Sequence, residues 1–327
     1  MFSVTNVRGF VNQQEQFEDR EMKGEDIAAY KIVSPREFAY NPARINVGSI
    51  ARYDGETDCM ISSLYVCFKA KKELVDSQLL LHILKSPKMM YNYGINGEGG
   101  VRIYLFYPNF ARIRVKLPSL EEQRRIASFL DCIEERIQIQ NKVIEKYESL
   151  IKALAHEIIG KHAPNIMLSE CVHCASSTLK ESDLAEAGAV PAYGAAGISG
   201  FTDSALSDGD SILITKDGSG VGSLRYVSGL HSFVGTLNSM TPKDGIYLPY
   251  IYYALQNVCF ETYRTGQAIP HIYFRDYGKE AIYCPAYDDQ KRLAKRLELL
   301  DAKIGIERAV LRNLQSAKAF LLSGMFI

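Results

Sequence analysis

Two short patterns in this 327-residue chain carry residue types that could do chemistry. Cys171 and Cys174 form C-x-x-C around His173, and Cys259, His271 and Cys284 follow in the same stretch. Thiolate and imidazole together are zinc-binding chemistry, but structural zinc sites pair two such motifs at set spacings. One lone C-x-x-C reads as ordinary buried thiols, so no metal is expected. Gly218, Gly220 and Gly222 imitate a phosphate-cradling loop. No Lys-Ser/Thr follows them and the next segment reads as strand, so they read as a hairpin turn. The sequence shows no Walker A motif, no nuclease carboxylate cluster and no Ser/His/Asp set. The chain is expected to catalyse nothing alone. What remains is a scatter of polar and cationic residues on glycine-rich loops, whose use depends on the elements that hold them.

Those elements repeat. Val115 to Gly160 aligns without a gap on Ile282 to Ile327 at an offset of 167 residues, with Pro118 on Pro285, Gln123 on Gln290, Arg125 on Arg292 and Leu130 on Leu297. Ile126, Leu130, Ile133, Ile137, Gln140, Ile144, Tyr147, Ile151, Leu154 and Ile158 follow steps of four and three, the a/d stripe of a coiled coil. Leu293, Leu297, Leu300, Ile304, Glu307, Leu311, Leu314, Lys318, Leu321 and Met325 hold the matching places. Ser119 and Glu122 form a capping box, and Lys161, His162 and Pro164 suit a helix stop. Helices of about 40 residues are roughly 60 Å long and must bury their stripe. With a domain between the copies, the simplest partner for each is the other, antiparallel. Gln140 and Glu307 then fall in neighbouring layers, where polar seam residues fix register.

The chain carries 38 basic and 38 acidic residues, which weighs against a uniformly basic binder. Residues 161–285 hold 8 basic and 12 acidic residues, so any anion-facing surface there is a local patch. The seven cysteines at irregular spacing, with no apolar leader after MFSVTNVRGF, suit a reduced cytosolic protein. No run of 18 apolar residues exists, so no membrane span is expected.

Four regions result: a β-rich domain over 1–117, a helix over 118–160, a second domain over 161–284 and a helix over 285–327. In the first domain Phe2 to Val4, Tyr30 to Val33, Phe38 to Tyr40 and Ser63 to Phe68 read as strands. Leu74 to Lys85 reads as a helix stopped before Pro87, and Asn96 to Gly100 as a loop. In the second, Ser211 to Thr215 and Leu224 to Val227 form a hairpin and Leu248 to Cys259 a helix. The loop Thr265 to Pro270 falls on Glu98 to Ile103 at the same offset of 167. The expected fold is α+β, with two pseudo-repeated, β-rich domains separated by two long antiparallel coiled-coil helices.

The helix openings LPSLEEQRRIASFL and PAYDDQKRLAKRL resemble the specificity subunits of type I restriction–modification systems. YKIVSPREFAYNPARINVGSIARY and VPAYGAAGISGFTDSALSDGDSILITKDGSGVGSLRYV are similar to that family's target recognition domains. The resemblance implies a non-catalytic subunit of a bacterial or archaeal, cytoplasmic complex. Each domain reads half of a bipartite duplex DNA site. Methyltransferase subunits, two by expectation, pack on the helices, and restriction/translocase subunits join through the complex. S-adenosylmethionine, ATP and magnesium belong to those partners, and this chain is expected to bind no cofactor. Family members carry a strand-bearing segment like Ile166 to Val172 before the first domain, whereas this chain begins at SVTNVRGF, which implies an N-terminally truncated first domain. Tyr40-Asn41-Pro42-Ala43 is similar to the N-P-P-aromatic loop of adenine methyltransferases but lacks the second proline and the aromatic.

Arg suits guanine edges and phosphates, Gln suits adenine, and Lys and Ser suit phosphates. The candidate DNA-binding residues are Arg44, Asn46, Arg52, Arg102 and Tyr104 in the first domain, and Lys216, Ser219, Arg225, Arg264, Gln267 and His271 in the second. Arg124, Arg125, Arg136, Lys291, Arg292 and Lys295 on the helices are candidates for partner contacts or local ion pairs. Two alternatives compete with this reading: a coiled-coil adaptor with two protein-binding domains and no DNA role, and a stand-alone methyltransferase.

Overall fold

The computed structural model describes residues 1–6, 8–13, 29–99, 103–266 and 269–324. Contacts divide the chain into two compact units, Met1–Asn141 with Ala309–Ile327, and Lys142–Arg308.

The first unit holds strands β1 (Phe2–Thr5), β2 (Gly9–Asn12), β3 (Lys31–Val33), β4 (Phe38–Tyr40), β5 (Ile50–Arg52), β6 (Cys59–Ile61) and β7 (Val66–Phe68). They form two sheets, ordered β2-β1-β6-β3 and β5-β4-β7. β4 is buried on both faces. Phe38 and Tyr40 face a helical core with Leu79, Ile83, Leu105 and Leu130, while Ala39 faces a second core with Val4, Val33 and Ile61. Helix α1 (Ser77–Leu84) starts at Asp76, whose carboxylate accepts from the amides of Gln78 and Leu79. Pro87 is not merely a stop. Ser86 caps a second helix, α2 (Pro87–Asn96), with proline at its first position, where no amide donor is missed.

Helix α3 runs over Leu120–Ala155 and ends in a π turn, His156–Gly160. In the second unit follow β8 (Ile166–Met167), β9 (Val172–Ser176), β10 (Val190–Gly194), β11 (Gly197–Thr202), β12 (Ser211–Thr215), β13 (Leu224–Val227), β14 (Ser232–Phe233), β15 (Leu237–Pro242), helix α4 (Leu248–Ala254) and β16 (Ala281–Ile282). The main sheet is antiparallel, β13-β12-β15-β9, and its strand β12 is buried throughout. Sheets β11-β10-β14 and β16-β8 complete it. Helix α5 spans Tyr287–Gly324.

Each unit contains a section of both long helices, and in each they run antiparallel. In the first, Lys318 pairs with Glu134, and Leu130 shares a core with Leu322. In the second, Arg308 Nη2 lies 2.6 Å from Glu148 Oε1, and Ile151 and Ile304 line one cleft. Of the stripe, Leu130, Ile133, Ile137, Ile144, Leu297 and Ile304 are buried. Ile126, Leu300 and Leu311 are half-buried, as is Gln140, and Glu307 is ion-paired with Lys303 one turn away. Met325 lies outside the described residues.

The motif glutamine fastens each long helix to its domain. Gln123 is 1% exposed: its Oε1 accepts the Asp76 amide at 2.8 Å, and its Nε2 donates to the carbonyls of Leu74 and Pro118 at 3.1 and 2.9 Å. Gln290, 2% exposed, repeats the set with the Tyr247 amide and the carbonyls of Gly245 and Pro285 at 2.8, 3.3 and 2.9 Å. A buried carboxamide satisfied on both atoms fixes where α1 and α4 dock.

Candidate nucleic-acid interface

The loop after α2 and its counterpart in the second unit share one backbone design. Glu98 and Tyr104 exchange two amide–carbonyl hydrogen bonds of 2.8 Å, and Thr265 and His271 exchange two more of 2.8 Å, 167 positions on. Gly99, at φ +112°, and Gly266, at φ +84°, turn the chain in the left-handed region inside each closed loop. At Gly266 a Cβ would stand 2.5 Å from the Ile269 carbonyl oxygen, so only glycine fits. Each loop is then tied to the neighbouring turn. The Leu105 amide donates to the Pro42 carbonyl at 3.0 Å, and the Ile272 amide to the Lys216 carbonyl at 2.9 Å.

Past the closing bond the side chains alternate. Leu105 and Ile272 are buried anchors at 0% and 1% exposure. Tyr104 and Phe106 stand outside, at 37% and 49%, and stack with rings 6.1 Å apart at 13°. His271 and Tyr273 stack likewise at 6.5 Å and 23°, with Tyr273 45% exposed. One-turn helices, Tyr107–Phe110 and Phe274–Tyr277, follow at matching places. Phe110 packs on Tyr40 and Phe68, and buried Tyr277 packs on Phe260, which anchors each loop from below. The sequence reading missed Phe106 and Tyr273. The usable signal was there: IYLFYPNF and HIYFRDY share aromatic or imidazole rings two residues apart, with an aliphatic between, at the same offset.

In the first unit the structure puts Arg44, exposed, and Asn46, half-buried, on the turn that Leu105 touches. Arg52 is a correction. It is 7% exposed, with Nε and Nη2 on the two Asp54 oxygens at 2.6 and 3.2 Å and Nη1 on Ser77 Oγ at 3.2 Å. Its guanidinium is locked inside the domain, and DNA cannot reach it. Asn41 of the truncated methyltransferase-like tetrad turns inward, its Oδ1 accepting the Ala43 amide at 3.0 Å, which makes it a turn former.

In the second unit Lys216, Ser219, Arg264 and His271 gather on adjoining loops. The Gly218 amide donates to the Pro270 carbonyl at 2.9 Å, and His271 Nδ1 lies 2.7 Å from Asp217 Oδ1. Lys216 is also near Asp217, at 3.9 Å, and Arg264 pairs with Glu261 at 3.2 Å. Arg275, unmarked by the sequence reading, lays its guanidinium 4.8 Å above the Tyr273 ring. Arg225 stands apart: it lies on β13 in the cleft lined by Tyr252, Asp301 and Arg308. Arg102 and Gln267 lie outside the described residues. Cys171 and Cys174 go separate ways. The neighbouring Cys284 thiol and burial push the Cys171 thiol up, whereas Cys174 Sγ meets the Tyr277 hydroxyl at 3.9 Å. On the helices, Arg125 pairs with Glu121 and Glu122, Arg292 with Asp289, and Lys295 with Glu298. No described helix is long and apolar enough to cross a membrane.

A β-rich domain with one closed loop, fastened by a buried glutamine to an antiparallel helix pair and then repeated along the chain, defines a class of internally duplicated protein. The chain belongs to the type I restriction modification DNA specificity family, whose domain model matches residues 9–149 and 170–316. A provisionally assigned type I restriction enzyme specificity subunit, MjaX of Methanocaldococcus jannaschii, is 24% identical over 43% of this chain and 34% of its own length. A provisionally assigned type I specificity subunit of Mycoplasma pneumoniae is 26% identical over 64% of this chain and 61% of its own. The chain therefore spans between a third and three fifths of these relatives. Its fold is that of the type I system S subunit from M. genitalium, with TM-score 0.58 and 20% identity over 91% of this chain and 84% of the other. A chain from a structure describing complex assembly and conformational transition of the type I R-M system gives TM-score 0.53 at 18% identity, over 91% of this chain and 84% of the other.

Proposed function

We propose that this chain is the DNA sequence-recognition subunit of a type I restriction–modification complex, reading a bipartite site with one half-site for each unit. The observation that carries this reading is the pair of matched loops, 98–106 and 265–273, each presenting polar and aromatic side chains from a backbone held by the same hydrogen bonds. Arg44, Asn46 and Tyr104 would serve the first half-site, and Lys216, Ser219, Arg264 and His271 the second. Arg102 and Gln267, inside the two loops by sequence, remain in the set. Lys216 and Arg264 would neutralise phosphates, contacts that position a protein on DNA, while other loop side chains would reach base edges. Directing methylation and restriction falls to this chain, and the chemistry to its partners. Two methyltransferase subunits would supply S-adenosylmethionine-dependent adenine methylation, and a translocase subunit would use ATP and magnesium. The exposed faces of the two helices, where Arg125, Arg292 and Lys295 pair with neighbouring carboxylates, would dock those subunits.

The test is modified-base sequencing of DNA from cells making the chain with its cognate methyltransferase subunit, against cells lacking the chain. A methylated two-part motif appearing only with the chain is the expected result. Its absence, with the methyltransferase subunit demonstrably expressed and folded, would overturn the reading.

A further inference from the structure

We propose that the exposed ring pairs Tyr104–Phe106 and His271–Tyr273 are the paired specificity contacts of this protein, each touching bases of its own half-site. Phe106 and Tyr273 supply the outermost ring of each pair. The inference rests on the DNA-recognition reading and adds the residues and the kind of contact.

Four observations converge on it. The pairs stand 167 residues apart, at the same step of the internal repeat. Their backbones are pinned on one side by the double hydrogen bond that closes each loop, and on the other by a one-turn helix that begins at the next residue. Between the rings a fully buried aliphatic, Leu105 or Ile272, sinks into the core, so the rings cannot turn inward without unseating it. The rings are nevertheless left in solvent, with Phe106 at 49% and Tyr273 at 45% exposure. Rigid aromatic surface offered from a fixed backbone loses little conformational entropy on binding, which suits a recognition contact.

The two pairs differ in what they offer. The first is a phenol stacked on a plain phenyl ring, with Pro108 two residues on, and suits apolar contact with thymine methyl groups. The second sets an imidazole beside a phenol, and Arg275 lies over the phenol ring with its Nε 3.7 Å from Asp276. A guanidinium laid on an aromatic face keeps its fork free for a guanine edge or a phosphate. The frame repeats while the groups displayed differ, which would suit two unlike half-sites.

Phe106→Ala and Tyr273→Ala, made separately in the full chain with its cognate methyltransferase subunit, test this. Modified-base sequencing of the host DNA should show Phe106→Ala relaxing or losing one half of the motif and Tyr273→Ala the other. Binding to duplex carrying the wild-type motif should fall roughly 5- to 150-fold, the range of one mismatched base pair. Phe106→Tyr and Tyr273→Phe keep a ring in place and should keep the motif. If wild type writes a motif and both alanine variants write it unchanged with affinity within about twofold, the rings do not touch DNA and the proposal falls. If either variant erases both halves together and lowers the melting temperature, the rings are structural and it falls as well. If wild type itself writes no motif, the recognition reading has failed beneath it.

Discussion

The two matched loops share a backbone and a ring–aliphatic–ring order, and differ in which rings and charges they display. Both close with the same double hydrogen bond, turn at a left-handed glycine, bury one aliphatic and expose a stacked pair. Yet the first loop shows Tyr104, Phe106 and Pro108, where the second shows His271, Tyr273 and Arg275 backed by Asp217. What is duplicated is therefore what holds the loop. What it displays has been free to change. The same division runs through the helix docks, where the buried glutamine and the proline it bonds are identical, whereas Asp76 and Leu74 give way to Tyr247 and Gly245. Changes to the repeated parts should cost both units alike, and changes to the differing parts should separate them.

The largest expected effect tests the repeated part. Leu130 and Leu297 occupy the same seam position and are both 0% exposed. Truncation of either to alanine should cost about 2–5 kcal/mol through lost burial and a residual cavity, measured by denaturant unfolding. Nearly equal losses would support equivalent packing. A difference of more than about 2 kcal/mol would mean that the seam is repeated in sequence but not in energy.

Next comes the glutamine. Gln123→Leu leaves the Asp76 amide and the Leu74 and Pro118 carbonyls without a partner, and Gln290→Leu does the same to Tyr247, Gly245 and Pro285. Each should cost about 2–4 kcal/mol, since orphaned buried groups forfeit their hydration. Native-state hydrogen exchange should show the loss first at α1 or α4. Exchange that quickens uniformly instead would rule out a local clasp.

How much of this could be read beforehand follows from range. The long helices were legible because a four-three stripe persists over nine turns or more, far beyond chance, and needs no distant partner to be seen. The hairpin of β12 and β13 was legible from its glycines. The burial of Arg52 is not legible because an Asp two residues on fits a surface pair equally well, and only the contact with Ser77, 25 residues away, marks the guanidinium as turned inward. Helix α2 is not legible beforehand because the same proline ends one helix and begins the next, a distinction set by the Ser86 cap. The ring pairs escaped because two alternating residues are too short a run to read as a face. Only comparison across the repeat exposes them.

The docks also differ in titration. Burial pushes the His82 imidazole below its usual range, partly offset by Asp131, whose Oδ1 lies 2.7 Å from Nε2. The unfolded chain then takes up a proton before the native one does. This contribution to the first unit is complete above the ordinary histidine range and fades as pH falls through it. The second unit has Tyr253 on Asp301 at 2.6 Å instead, and burial raises that carboxyl. There the native state binds the proton more readily, so acidification favours it. Hydrogen exchange followed from pH 7.5 to 5.5 should show the first unit loosening and the second holding. His82→Gln should remove the contrast. Equal loosening of both units in the wild type would show that other groups govern the acid response.

The smallest effect lies at the ion pairs joining the two helices within each unit. Arg308 and Glu148 are both well exposed, with side chains 55% and 43% accessible, whereas Lys318 and Glu134 are less so, at 26% and 37%. Exposed pairs gain little, because water screens the attraction and two long side chains must be held still. A double-mutant cycle on Arg308 and Glu148 should give about 0.2–0.5 kcal/mol, and one on Lys318 and Glu134 up to about 1 kcal/mol. The second value should also shift with His82, because Lys318 and Glu134 both act on that imidazole, with opposite signs. Coupling energies that are equal, and indifferent to His82→Gln, would mean that this part of the seam is electrostatically the same in both units. The contrast between them would then be confined to the matched loops and the dock.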